Sequence, residues 1–187
     1  MFNCNLCNFM EIKNIKYMAK TTSNMVPIGF KAPNFNLLNT KSGKILSLKN
    51  LKGEKCTLIM FICNHCPFVV HINEEIVNIA NEYIEKGVSF IAISSNDIVN
   101  YPQDSPENMK KVALREKYPF PYLYDKDQSV AKNYDAACTP DFYIFNSDQE
   151  LVYRGQMDDS RPGNNIPVTG KDIRNALDCI ISSKKIS

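Results

Sequence analysis

A chain of 187 residues has room for one domain of ordinary size and not comfortably for two. With 44% hydrophobic and 22% charged residues it has the balance of a globular domain with a core, and a net charge of +2 leaves no clustered basic excess for holding nucleic acid. The longest strongly apolar run, Leu58 to Cys63, has six residues, far short of the roughly 20 that a membrane-spanning helix needs.

Residues 1–26 are rich in Asn, Lys, Thr and Met and show no strand or helix repeat, so they are expected to form a flexible extension ahead of a domain at 27–187. Met18 offers a second start, which makes residues 1–17 either part of that extension or an artefact of start-site choice. Phe35–Leu38 and Ile45–Leu48 then flank Asn39-Thr40-Lys41-Ser42-Gly43 and predict a short hairpin. Thr57–Ile62 is a continuous apolar run, the pattern of a strand covered on both faces. After Pro67, the spacing of Val69, Ile72, Ile76, Ile79, Ala80 and Tyr83 predicts a helix with one buried stripe, stopped by Gly87. Val88–Ser94 reads as a second buried strand. Ser105-Pro106-Glu107 opens a helix that ends before Pro119. Tyr122–Tyr124 predicts a short strand, Ser129–Tyr134 a short helix, Phe142–Phe145 with Leu151–Arg154 a hairpin, and Gly170–Ser183 a closing helix with Ile173, Leu177, Ile180 and Ile181 inward. This order suggests an α/β domain, a mixed sheet with helices on both faces.

Seven cysteines, at 4, 7, 56, 63, 66, 138 and 179, exclude full pairing within the chain. The first ten residues carry no basic cluster ahead of an apolar core. The expectation is a cytoplasmic protein whose thiols stay reduced and whose Cys pairs are catalytic or metal-binding. The chemistry centres on Phe61-Ile62-Cys63-Asn64-His65-Cys66-Pro67, where a buried strand gives way to a helix. Free backbone N–H groups and the helix dipole favour a thiolate there. If Cys63 caps the helix and Cys66 lies in its first turn, Cys63 is the nucleophile, Cys66 resolves, and His65 adds to the stabilisation of the Cys63 thiolate. The competing reading is half of a zinc site, completed by Cys4 and Cys7; His65 and His71 are the only histidines. The position at a strand-to-helix junction favours redox chemistry, with no metal. No Gly-rich phosphate loop or haem-attachment motif calls for another cofactor.

The strand–CxxC–helix order, followed by Cys138-Thr139-Pro140 ahead of a hairpin, resembles the thioredoxin fold. That resemblance implies a central mixed sheet flanked by helices, and a cis Thr139–Pro140 bond facing the redox pair. Gly29-Phe30-Lys31-Ala32-Pro33-Asn34-Phe35 and the hairpin after it resemble the amino-terminal part of peroxiredoxins and their alkyl hydroperoxide reductase relatives. The segments around Cys63–Cys66, Ala137–Phe142 and Tyr153–Asn164 are similar to a peroxiredoxin-like subgroup carrying a thioredoxin-type CxxC. The likeness implies disulfide or peroxide substrates and a thiol electron donor of thioredoxin or glutathione type.

The departures matter. If Cys66-Pro67 matches the Cys-Pro of peroxiredoxins, Cys63 stands where they keep Thr and Ile59 where they keep Pro, so the peroxide-orienting set is incomplete. Ile62 replaces the Trp usual before the first cysteine of thioredoxins, and His65 matches the histidine of disulfide isomerase-type CxHC sites, where it implies a more oxidising pair. The thioredoxin alignment makes Cys63 the nucleophile and the peroxiredoxin alignment makes it Cys66; chemistry favours Cys63, the residue expected nearer the helix start and more exposed. Arg154 falls where peroxiredoxins keep an active-site Arg. Arg154 and Arg161 are candidates for lowering a thiolate pKa, against the alternative of solvated surface residues. Cys138 is either an extra resolving thiol or a small packed residue. Asp141 is a buried proton acceptor or a turn residue, His71 a surface residue, and Cys56 and Cys179 packing residues. Asp158, Asp159 and Arg161 predict a loop held by its own charges rather than a calcium site. Three functional readings follow: a thiol–disulfide oxidoreductase using Cys63 and Cys66, a thiol peroxidase, or a non-catalytic thioredoxin-fold binding module.

Overall fold

Six successive buried residues, Cys56–Phe61 (β5), form the central strand, and their alternation splits the interior into two cores. Leu58 and Met60 face one side, where they meet Ile72, Ile76 and Ile79 of a long helix, Pro67–Tyr83 (α2). Ile59 and Phe61 face the other side, against Phe35, Tyr134 and Tyr143. The computed structural model describes residues 9–12, 15–18 and 23–186.

Around β5 the elements follow in chain order. Phe9–Ile12 (β1) and Ile15–Met18 (β2) pair antiparallel as a separate two-stranded unit, in a stretch whose sequence showed no strand repeat. The rest of the proposed extension before Ser23, with the Cys4–Cys7 pair, lies outside the described residues. Asn36–Asn39 (β3) and Ile45–Ser47 (β4) form the predicted hairpin. A single turn, Leu48–Leu51 (α1), follows; Ser47 and Asn50 cap it reciprocally, a signal the sequence reading passed over. After β5 and α2 come Val88–Ser94 (β6), Pro106–Arg115 (α3), Tyr122–Tyr124 (β7), Ser129–Asn133 (α4), Asp141–Asn146 (β8), Leu151–Gly155 (β9) and Lys171–Ile181 (α5).

The seven-stranded sheet has the order β4-β3-β7-β6-β5-β8-β9. β5, β6 and β7 run parallel, joined by helical crossovers, and the other pairings are antiparallel. α2, α3 and α5 contribute to one core, α1 and α4 to the other. The predicted stripe of α2 is buried at all six positions. The last turn tightens into a 3-10 turn, Ile84–Lys86, before Gly87 takes φ 87°, a conformation glycine adopts at little cost.

This topology assembles one edge of the sheet. The carboxyl ends of β5 and β6 and the start of β8 lie together, with Phe61 opposite both Ile93 and Asp141. Ligands of open α/β sheets bind outside the carboxyl ends of such strands.

Candidate active site

Proline excludes the α conformation from the residue before it. Cys66 therefore stands outside the helix, at φ −67° and ψ 117°, as the N-cap, with Pro67 the first helical residue; its thiol makes no capping bond. This corrects the expectation that Cys63 caps the helix and Cys66 lies in its first turn. The exposure argument fails as well: both cysteines are about 1% exposed.

The Thr139–Pro140 bond is cis, and both thiols face it. Cys63 Sγ lies 3.4 Å from Thr139 Oγ1, and the Cys66 thiol donates to the Thr139 carbonyl at 3.2 Å. Cys63, Cys66, Thr139 and Pro140 thus form one cluster, as the resemblance implied, and both cysteines are in the thiol form.

Asp104, fully buried at the end of a 3-10 turn Pro102–Asp104, organises the other side. Its carboxylate accepts from the Asn64 backbone N–H at 2.7 Å, from His65 Nδ1 at 2.5 Å and from Asn96 Nδ2 at 2.7 Å. A carboxylate only accepts, so His65 Nδ1 donates to it, and Nε2 is buried with no hydrogen-bond partner. The His65 ring stacks on Tyr101 at 4.6 Å, 4° from parallel. Asn64 Nδ2 donates to the Gln103 carbonyl, and Tyr122 Oη donates to Asn64 Oδ1. The two residues between the cysteines are therefore pinned to the loop that follows β6.

These contacts reverse the expected electrostatics. The hydrogen bond with Cys66, then burial, then the negative charge of Asp104 hold the Cys63 thiol well above its ordinary pKa, and the Thr139 hydroxyl opposes them only in part. His65 is committed to Asp104, so Cys63 has the character of a protonated, closing thiol rather than a ready nucleophile. Burial alone pushes Cys56 up to about 12.

A pH dependence follows. A thiol whose pKa is raised in the fold binds its proton more tightly there than in the unfolded chain, where it ionises near ~8.5. Below that pH both states are protonated and nothing changes. Above it the unfolded chain gains by ionising, and stability falls as pH rises, by about 1.4 kcal/mol per pH unit for each such thiol. Denaturant unfolding between about pH 9 and 10, before ordinary tyrosines ionise, is expected to show this slope for Cys56, Cys63 and Cys138 together. Closing the Cys63–Cys66 disulfide should remove the Cys63 share; equal slopes for the two forms would contradict the assignment.

Arg154 is buried away from solvent, and its charge favours ionisation of Cys138. Its Nη2 lies 2.9 Å from Asp141 Oδ2 and 3.3 Å from the Asp135 carbonyl, Nη1 lies 3.5 Å from the Tyr134 carbonyl, and the guanidinium sits 4.0 Å from the Tyr143 ring centroid. Asp141 also accepts from Ser23 Oγ and from Tyr143 Oη. Asp141 is thus buried, at the start of β8, and bonded to Ser23, Tyr143 and Arg154.

His71 is half-buried rather than on the surface, with Nε2 2.7 Å from Ser160 Oγ. The Ser160 hydroxyl donates to the Ile166 carbonyl, so His71 donates to Ser160 and tethers the loop after β9. Within that loop Arg161 donates to the carbonyls of Asp158 and Ser160, while the Asp158 carboxylate caps the backbone of Ser160, Thr169 and Gly170.

Cys63, His65 and Asp104 offer potential metal-ligand atoms within 4.8 Å of one another. His65 Nδ1 and Asp104 Oδ2 are at hydrogen-bond distance, however, closer than the roughly 3.3 Å that two ligands on one tetrahedral zinc subtend at the bond lengths usual for it. In this arrangement a proton joins them. Asp104, Asn96 and Tyr101 were not anticipated as site residues. The only sequence cue to Asp104 was its place just ahead of the Ser105 cap.

The sheet order, the CxxC at the β5–α2 junction and the cis proline define a thioredoxin-like fold. The chain belongs to the AhpC/TSA family, which matches residues 28–154. It is similar to an uncharacterized conserved protein from Geobacillus kaustophilus, with 60% identity over 88% of this chain and 87% of that one and a TM-score of 0.87. A hypothetical protein from Sinorhizobium meliloti 1021 is 42% identical over 90% and 91% of the two chains, with a TM-score of 0.88. The thioredoxin domain of a thiol-disulfide oxidoreductase from Bacteroides vulgatus shares the fold, with a TM-score of 0.61 at 19% identity over 72% of this chain and 92% of that one. None of the curated proteins matches. No helix among the described residues is long and apolar enough to cross a membrane.

Proposed function

We propose that this protein is a thiol–disulfide oxidoreductase whose working pair is Cys63 and Cys66. The observation that carries the reading is the thiol pair set against Thr139 and the cis Pro140, with Cys63 held protonated. A substrate disulfide is reduced to two thiols as Cys66 and Cys63 close their own disulfide, and Cys63 is the closing thiol. This reverses the order expected from sequence. As Cys63 attacks, its proton passes to the departing substrate thiolate. Arg154 supports the turn before β8 through Asp141 and does not touch substrate. A cytoplasmic thiol donor of thioredoxin or glutathione type would return the pair to the dithiol.

The alternative is a thiol peroxidase, favoured by one observation: Cys66 stands at the N-cap of a 17-residue helix in an AhpC/TSA family chain. There peroxide would oxidise Cys66 to a sulfenic acid, and Cys63 would condense with it. Mixing the reduced protein with oxidised glutathione or with hydrogen peroxide, and mapping the Cys63–Cys66 peptide by mass, separates the readings. The oxidoreductase forms the disulfide readily from glutathione and reacts with peroxide no faster than a free thiol. Fast, saturating conversion by peroxide would instead establish the peroxidase. A binding module would form the disulfide with neither. Cys63→Ser is expected to abolish turnover and leave folding intact.

A further inference from the structure

Cys63 and Cys66 are each about 1% exposed, so an incoming disulfide meets neither sulfur directly. A third thiol lies at the same turn and is only half-buried: Cys138, the residue before Thr139–Pro140. Cys66 Sγ is 3.2 Å from the Thr139 carbonyl, and Cys138 Sγ is 4.0 Å from the Pro140 carbonyl, the next one along the chain. Both sulfurs thus lie against the Thr139–Pro140 turn, and ionisation of Cys138 is opposed by Cys66. On its outer side Cys138 meets the exposed Ser23, 3.4 Å away, whose hydroxyl donates to Asp141. Burial pushes Cys138 up to about 11, with Asp141 adding to the rise and Ser23 and Arg154 opposing it; Cys63 is raised further. Of these two thiols Cys138 is both the more accessible and the easier to ionise.

We propose that Cys138 is the receiving thiol of this site, which takes the oxidation from a low-molecular-weight or protein disulfide and hands it through Cys66 to Cys63. The proposal rests on the redox reading of the Cys63–Cys66 pair. Cys138, its proton given to solvent, attacks one sulfur of R–S–S–R′, forms a mixed disulfide and expels R′S⁻. Cys66 attacks the Cys138 sulfur, expels RS⁻ and leaves a Cys66–Cys138 disulfide. Cys63 attacks Cys66, closes the Cys63–Cys66 disulfide and releases Cys138 as a thiolate that regains its proton. Two thiols are oxidised and one substrate disulfide is reduced. The protons of Cys63 and Cys66 end on the two released thiolates.

The test is disulfide mapping of the full-length Cys63→Ser protein, reduced, exposed to oxidised glutathione and quenched with N-ethylmaleimide. Without the closing thiol, the Cys66–Cys138 disulfide should accumulate as the main product. Glutathione on Cys66 or Cys138 with no link between them would overturn the proposal. In the otherwise unaltered chain, Cys138→Ser should slow formation of the Cys63–Cys66 disulfide by oxidised glutathione about tenfold or more, and Cys179→Ser should leave it unchanged. A Cys138→Ser rate within about twofold of the parent would overturn it too. Circular dichroism verifies the fold of each variant, and Cys138→Ala replaces Cys138→Ser if the latter unfolds. If the parent chain forms no Cys63–Cys66 disulfide, the oxidoreductase reading has failed. Mapping in Cys63→Ser still decides whether Cys138 and Cys66 are partners.

Discussion

Asp104→Ala is expected to cost the fold about 4 kcal/mol or more, one of the two largest single-residue effects anticipated here. The carboxylate is fully buried and accepts from Asn64, His65 and Asn96. Its removal strands three donors, one buried and two part-buried, with about 1–3 kcal/mol lost for each that stays unsatisfied away from water. Asp104→Asn is the gentler variant. It keeps an acceptor for the Asn64 N–H, and its own amide can donate to His65 once the imidazole proton moves to Nε2. It also takes away the charge that, after the Cys66 hydrogen bond and burial, holds the Cys63 thiol up. Carbamidomethylation of Cys63 near pH 8 should therefore run about threefold to tenfold faster in Asp104→Asn, in proportion to the gain in thiolate. Asp125→Asn is the control. Asp125 is equally buried and accepts from Ser95 Oγ and the backbone of Val130 and Ala131, at the start of α4 rather than at the thiols. It should lose comparable stability with no change at Cys63. Equal alkylation rates in the two variants would show that Asp104 acts on the fold alone.

The contrast between Asp104 and the cysteines shows what was legible in the chain. β5 and α2 could be read because six apolar residues in a row and a six-position stripe have few other uses. The two-cysteine cluster and the Thr139–Pro140 turn came from motif and resemblance together. The placement of Cys63 at the helix cap was wrong although the sequence held the answer: Pro67 disfavours a helical conformation at Cys66, which moves the cap from Cys63 to Cys66 and the helix start to Pro67. Asp104 could not be read, since a buried carboxylate has no local pattern that distinguishes it from an exposed one. Only the folding of the loop after β6 onto Asn64 and His65 gives it a role. The strands β1 and β2 were missed because they lie in a stretch rich in Asn, Lys, Thr and Met, with no Asn-Gly or Asp-Gly pair to mark a turn between them.

Arg154 illustrates the reverse case, a residue whose burial overturns one expectation while leaving its function to experiment. In the β8–β9 hairpin Phe142 pairs with Gly155 and Tyr143 with Arg154, which brings Arg154 diagonally toward Asp141 at the start of β8. Both side chains are about 1% exposed, so each charge depends on the other for its solvation. Arg154→Ala leaves Asp141 buried without a counter-charge and is expected to cost about 3–5 kcal/mol. For a chain of this length that is a fall in Tm on the order of 10 °C. Arg154→Lys keeps the charge but loses the fork that reaches Asp141 and the carbonyls of Tyr134 and Asp135, and it should fall between the two. The same pair of variants tests what Arg154 does for chemistry. As a support for the turn that carries Thr139 and Pro140, Arg154→Lys should leave the rate of Cys63–Cys66 oxidation at 25 °C within about twofold of the parent, and a double-mutant cycle with Asp141→Asn should return the coupling as stability. A rate loss of about tenfold or more in Arg154→Lys at nearly unchanged Tm would mean that the guanidinium meets the substrate after all, as the peroxiredoxin likeness implied.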